Sequence, residues 1–154
     1  MKKPYNGGSD QLLFYVSFGL FIGRYLEDHQ FSLSPIFLFL SFLICLTYFY
    51  AGWVKFRSSS WQNGRAFWQS SYLSCYGPLS PKTSSSKIIT QLILVFELLF
   101  PLSLFHPFLA IIFIIGGMSF HLGNIYLLGL NRFFWTWVIC YPSLLWIAKN
   151  YHIF

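Results

Sequence analysis

The sequence predicts an all-α membrane protein: a polytopic bundle of four or five transmembrane helices with a short helix on the membrane interface. Three observations predict it. Hydrophobic residues make up 56% of the 154 residues and charged residues only 9%, where a soluble domain carries about 25% charged residues. The apolar residues gather into five runs separated by polar segments. Aromatic residues reach 23%, and Trp135, Trp137 and Trp146 fit the belt that amphipathic rings form at headgroup level. The length allows one transmembrane domain over residues 1–154 and leaves no room for a second large domain.

The first run, residues 12–25, is shorter than the ~20 residues that a span needs. It therefore reads either as a short span or as an interfacial segment. Lys2 and Lys3 ahead of it suggest a signal peptide, but Gly23-Arg24-Tyr25 offers no small-x-small cleavage site, so the run reads as a retained helix. The second run, residues 35–56, is a full-length span opened by Ser34 as cap and Pro35 in the first turn. Residues 57–87 form the longest polar segment. Its first half, from Trp61 to Gln69, mixes aromatics, amides and one arginine, as a helix lying on the interface does. Its second half, with Gly77, Pro78, Pro81 and Ser84-Ser85-Ser86, reads as loop. The third span covers residues 88–105, with Pro101 kinking its last turn. The fourth covers 107–130 and again opens on proline. The fifth covers 133–148 and is interrupted by Pro142.

The net charge of +6 comes from basic residues in short connections between apolar runs. There they set topology and meet anionic lipid, which argues against nucleic acid as a partner. With five spans, Lys2 and Lys3, the 57–87 segment and Arg132 lie on one side, and Glu27, Asp28 and Lys149 on the other. The positive-inside rule then makes the N-terminus and the long segment cytoplasmic in a bacterial plasma membrane. With four spans the N-terminus changes sides and the long segment does not. Cys45, Cys75 and Cys140 are odd in number and form no Cys-x-x-Cys, so neither dithiol redox chemistry nor a metal site is predicted.

Three runs carry a titratable group. Glu97 sits mid-run in the third, where an acidic group costs about 2.5–3.5 kcal/mol unless it faces the bundle. A neutral acid hydrogen-bonded across helices is the plain reading. His121 lies in the fourth run, on a helical face shared with Gly117 and Asn124. It is either a satisfied core histidine or a polar group facing a site. Lys55 closes the second run on a face shared with Tyr48 and Gly52. It is either a snorkelling anchor or a desolvated lysine acting as base. Mutual pairing of Lys55, Glu97 and His121 would lower the cost of each. No Gly-rich phosphate loop, nucleophile elbow or Cys/His pair is present.

The segment Tyr48-Phe49-Tyr50-Ala51-Gly52-Trp53-Val54-Lys55-Phe56, followed by Trp61 and Gly64, resembles the "YFxAGxxKL…W…G" segment of vitamin K-dependent gamma-carboxylases and the related bacterial HTTM (horizontally transferred transmembrane domain) proteins. Phe120-His121-Leu122-Gly123-Asn124, then Leu127, Leu130 and Phe133, resembles that family's "FHxxN…L…F" segment. Glu97 falls where the family carries an acidic residue. The resemblance covers roughly residues 37–146. It implies a quinone, vitamin K hydroquinone in the carboxylase, with Lys55 as the base that deprotonates it. It also implies that His121 and Asn124 line the same cavity, with Tyr48, Gly52 and Glu97 around the substrate. The carboxylase's extramembrane domain, which binds the substrate's propeptide, has no match in these 154 residues.

Two other readings accompany the enzyme. One is a non-catalytic membrane subunit or maturation factor, partnered by another membrane chain or a secreted peptide. The other is a DoxX-type quinone-associated membrane protein, where a small-residue "AGxxK" turn also occurs.

Overall fold

A long run that is apolar but for Ser41 and Thr47 before its closing lysine, opened by a serine and a proline, satisfies its own backbone hydrogen bonds in lipid as a helix. In the computed structural model the second run is such a helix, Ser34–Phe56. The structure describes residues 7–28, 34–72 and 83–151, and among them there are helices and no strands. They are α1 (Gly7–Asp28), α2 (Ser34–Phe56), α3 (Ser59–Gln62), α4 (Arg65–Tyr72), α5 (Thr83–Leu99), a 3₁₀ segment (Phe100–Leu104), α6 (Pro107–Leu128) and α7 (Asn131–Asn150). Lys2, Lys3, His29, Cys75, Lys82, His152 and the Gly- and Pro-rich stretch at 76–81 lie outside the described residues.

Among the described residues, three stretches are long and apolar enough to cross a membrane: Ser34–Phe56, Ser85–Leu104 and Pro107–Leu127. Helices α1 and α7 are comparably long, at 22 and 20 residues, about 30 Å or more of rise, but carry more polar side chains. The 12–25 run thus belongs to a helix that extends beyond it at both ends. Helix α5 starts at Thr83, ahead of residue 88. The serine-rich stretch read as loop joins it, because composition is a weak prior that packing overrides. Ser86 and Thr90 are buried there, and Thr90 Oγ1 donates to the Ser86 carbonyl at 2.7 Å. Pro142 does not interrupt α7. It lies on an exposed face, and the hydroxyls and thiol of Thr136, Ser143 and Cys140 donate back to carbonyls of the same helix.

Helix α2 is the middle of the bundle. It packs against α5 on one side and α7 on the other, while α6 packs against α7 and the 3₁₀ segment, and α1 lies against α7 and α2. The core gathers Ile44, Tyr48, Phe100, Cys140, Tyr141 and Leu144. The outward faces are apolar as well. Phe14 and Phe21 on α1, Phe42 on α2, Leu92 on α5 and Ile115 on α6 are mostly exposed. Apolar surface this extensive marks a membrane or protein contact, and the three apolar stretches fit lipid.

The single interfacial helix expected at 61–69 is two short helices. Gly64 separates them with φ 75°, a left-handed conformation that costs other residues about 1–2 kcal/mol. The bend is pinned on both sides: Gln62 Nε2 donates to the Phe56 carbonyl at 2.5 Å, and Gln91 Nε2 donates to the Gln62 carbonyl at 3.2 Å. A Cβ on Gly64 would lie 2.7 Å from the Lys87 amide nitrogen. The α3–α4 elbow thus sits directly on the start of α5, below the end of α2.

Candidate functional site

Gly52, Tyr48 and Lys55 fall on one face of α2, and each meets a different requirement there. Gly52 lets α5 approach: a Cβ at this position would be 3.0 Å from both Glu97 Cβ and the Leu98 amide nitrogen. One turn on, Lys55 Nζ donates to both carboxylate oxygens of Glu97, at 2.5 and 2.6 Å. The side chains of the pair are 16% and 3% exposed. Burying either charge alone costs several kcal/mol, and pairing offsets that cost. The Trp61 ring, from the elbow, lies 5.3 Å from the ammonium and adds a cation–π contact.

At the other end of this face, the Tyr48 hydroxyl bonds His121 Nε2 and the Tyr141 hydroxyl, each at 2.8 Å. Three helices meet at that oxygen. Tyr48 stacks on Phe100 with ring centroids 3.8 Å apart, and His121 stacks on Trp137 at 5.1 Å and 17°. Gly117 makes room: a Cβ there would strike the hydroxyls of Tyr141 and Tyr48. His121 therefore does not join the Lys55–Glu97 pair. The Tyr48 hydroxyl takes the imidazole instead, because an aromatic hydroxyl can satisfy it without a second buried charge.

Both ends open on one cavity of about 220 Å³, lined by Lys55, Glu97, Tyr48, His121 and Asn124, with Thr47, Ala51, Phe120, Leu130, Phe133 and Trp137 completing the wall. Of the six residues singled out from sequence, five line it. Gly52 does not; it supports the cavity from behind through the α2–α5 contact. Seven residues of helix separate Tyr48 from Lys55, about 10 Å of rise. The volume is below the ~300–1,000 Å³ of drug-sized ligand sites.

The cavity wall also holds unsatisfied polar atoms. Among the described residues, three buried side-chain atoms lack a hydrogen-bond partner, namely Ser41 Oγ, His121 Nδ1 and Trp137 Nε1, and the last two belong to cavity-lining rings. Each such atom costs about 1–3 kcal/mol. The Asn124 side chain, half-buried on the same wall, has no bond of its own, while its carbonyl accepts from the Leu130 amide at 3.3 Å in the turn that Gly129 makes with φ 75°. That turn brings Leu130 and Phe133 to the cavity. The space is thus walled largely by aromatic rings, with the Tyr48–His121 bond at one end and the Lys55–Glu97 ion pair at the other. Among the described residues no three His, Cys, Asp or Glu side chains gather as metal ligands would.

Sequence reasoning missed Tyr141 and Trp137. Trp137 reads as a headgroup anchor but is 5% exposed, and Trp135 two residues away, 59% exposed, faces outward instead. Helical periodicity held the signal: Trp137, Tyr141 and Leu144 repeat at i, i+4, i+7 and form the buried stripe of α7. None of the family models, curated proteins or solved structures compared with this chain matches it.

Proposed function

We propose that this chain is a small integral membrane protein that binds the ring head group of a quinol in the Lys55–His121 cavity and removes a proton from the ring hydroxyl with Lys55. The observation that carries the reading is the convergence of Lys55, Glu97, Tyr48, His121 and Asn124, from α2, α5 and α6, on one ring-sized cavity. It agrees with the gamma-carboxylase and HTTM resemblance of the lysine and histidine segments.

A lysine acts as a base only when its amine is neutral. The bidentate contact offers a route: a proton shifts from Nζ to a Glu97 oxygen, leaving a neutral amine beside a neutral acid. The amine then takes the proton of a ring hydroxyl, giving ammonium and a ring oxyanion. The new ammonium stays next to the oxyanion and stabilises it, in surroundings where water does not screen the attraction.

In this reading α1 and α7 join the three apolar stretches as spans, making five, and the basic segment 57–87 faces the cytoplasm. The outward Phe14, Phe18 and Phe21 of α1 support the first crossing. If α1 lies at the interface instead, four spans remain and the segment keeps its side.

The second reading is a non-catalytic membrane subunit or a maturation factor for a secreted peptide. The ion pair itself favours it, since a bidentate Lys55–Glu97 contact also serves simply to join α2 to α5. One experiment separates the two. Naphthohydroquinone is added to the protein in nanodiscs, and ionisation of the bound ring is followed by absorbance. Ionisation in the wild type, lost in both Lys55→Ala and Lys55→Arg, supports the base, because arginine keeps the charge and cannot accept the proton. Ionisation that survives Lys55→Arg, or is absent from the wild type, leaves the scaffold reading.

A further inference from the structure

Two cations sit side by side at the α3–α4 elbow with no acid to meet them. Gly64 packs so closely on α5 that a Cβ there would lie 2.9 Å from Lys87 Cα. One Cα–Cβ bond and one Cα–Cα step then bring Arg65 Cα within about 8 Å of Lys87 Cα. Both residues are exposed, and neither makes a side-chain hydrogen bond or ion pair among the described residues. Glu97 is held by Lys55 and Asp10 by Arg132. Glu27 and Asp28 close α1 at the other end of the bundle, beside the start of α2. An arrangement that gathers like charges and supplies no counter-charge attracts an anion from outside. We propose that Arg65 and Lys87 together hold the phosphate of an anionic phospholipid at the edge of the bundle. The proposal does not depend on what the cavity binds.

The level is that of lipid headgroups. Lys87 is the third residue of the apolar stretch Ser85–Leu104, and the elbow follows directly on the stretch that ends at Phe56. Trp53, Phe56 and Trp68 are exposed there, as aromatic rings are at a membrane interface. Trp68 follows Arg65 by three residues and shares its face of α4. The directions agree as well. Gln91, one turn after Lys87, reaches the Gln62 carbonyl at 3.2 Å, so this face of α5 looks toward the elbow. Helical side chains lean toward the N-terminus, which carries the Lys87 ammonium toward the start of α5 and out of the hydrocarbon. Each of the two side chains spans about 6 Å from Cα to its charge, so one phosphate group can bridge them. The guanidinium fork takes two phosphate oxygens and the ammonium adds a point charge. A phospholipid delivers its phosphate at this depth, with its acyl chains along the exposed Ile88 and Leu92 of α5. A zwitterionic lipid carries its own ammonium beside the phosphate and gains less from two more cations.

The test uses the full chain in micelles with equal amounts of dioleoyl phosphatidylglycerol and dioleoyl phosphatidylcholine, and counts retained lipid by native mass spectrometry. The wild type is expected to retain phosphatidylglycerol about fivefold over phosphatidylcholine, the size of effect that a basic side chain has at an anionic headgroup. Arg65→Gln and Lys87→Gln should each remove most of that preference, and the double variant no more than either, because one phosphate needs both. Arg57→Gln and Lys149→Gln make the same charge change at exposed positions outside the pair and should leave most of it. A second measurement uses the wild type alone: the Arg65 Nε–H resonance shifts when phosphatidylglycerol replaces phosphatidylcholine, and that of Arg57 does not. A wild type without preference, or an unmoved Arg65 resonance, overturns the proposal. So do equal losses from Arg57→Gln and Arg65→Gln, the mark of selection by overall charge. Additive losses from Arg65→Gln and Lys87→Gln overturn it too, since they would mean two separate contacts.

Discussion

Lys55 on α2 reaches both carboxylate oxygens of Glu97 on α5, at 2.5 and 2.6 Å, from 42 residues away in the chain. The contact is possible because Gly52, one turn before the lysine, presents no side chain to the α5 backbone. A pair this buried holds two helices in register. Its net worth over an apolar pair is small, but half of it cannot stand alone.

Glu97→Gln is therefore expected to destabilise the protein by about 3 kcal/mol, because it leaves an ammonium uncompensated. The double variant Lys55→Met/Glu97→Leu should recover most of that loss, since it removes both charges and keeps the volume. Equilibrium unfolding in mixed micelles measures both. A double variant as unstable as the single one would mean that the ion pair supplies net stability that apolar packing cannot replace.

A second ion pair, at the surface, makes the contrast. Arg132 Nη1 meets Asp10 Oδ1 at 3.4 Å, with side chains 71% and 58% exposed. Both charges stay solvated, so the contact has little to gain. Asp10→Asn should shift stability by no more than about 0.5 kcal/mol, and raising the salt concentration should erase even that difference. A loss comparable to that of Glu97→Gln would show that α1 docking onto α7 depends on this contact.

What the sequence made legible follows from its apolar spacing. A lone carboxylate, a lone imidazole and a terminal lysine within apolar runs have few places to go except inward, and the i, i+4, i+7 arithmetic grouped Tyr48 with Lys55 on α2 and His121 with Asn124 on α6, all four at the cavity. Five of the six chosen residues line the cavity for that reason. Which group would pair with which was not legible. Lys55 and Glu97 pair because Gly52 brings their backbones together, whereas His121 goes to Tyr48 because Gly117 leaves a gap the size of two hydroxyls. Both choices depend on side-chain volume across helix contacts, which no single run encodes. Trp137 escaped for a similar reason: tryptophan suits a headgroup belt and a buried stripe equally, and only the packing of α7 decides.

Gly64 tests how the elbow supports the lysine end of the cavity. Its left-handed backbone and its contact with the Lys87 backbone both exclude a side chain. Gly64→Ala should cost at least about 1–2 kcal/mol from the conformation alone, with the overlap against α5 adding to it. The expected signature is local: faster hydrogen exchange in α3 and α4 and loss of the Trp61 contact with Lys55, while α6 and α7 keep their protection. Uniform loss of protection throughout the protein would mean that the elbow is integral to the whole bundle.

Gly117 tests the tyrosine end, and here the structure makes a prediction with its own rescue. A Cβ at 117 would overlap the Tyr141 hydroxyl and crowd that of Tyr48, the two oxygens that share a hydrogen bond at 2.8 Å. Gly117→Ala favours the helix by about 1 kcal/mol through propensity, yet overpacking of this kind costs about 1–3 kcal/mol, so the net change should be destabilising. Deleting the struck oxygen removes most of the overlap. Tyr141→Phe alone is expected to destabilise modestly, by about 1 kcal/mol for the lost hydrogen bond, and to tolerate alanine at 117 far better than the wild type does. The cycle of two single variants and the double variant, followed by unfolding, should show a favourable coupling of about 1 kcal/mol or more between positions 117 and 141. Strict additivity would place the Tyr141 hydroxyl away from Gly117, and with it the three-helix junction that fixes His121 at the cavity.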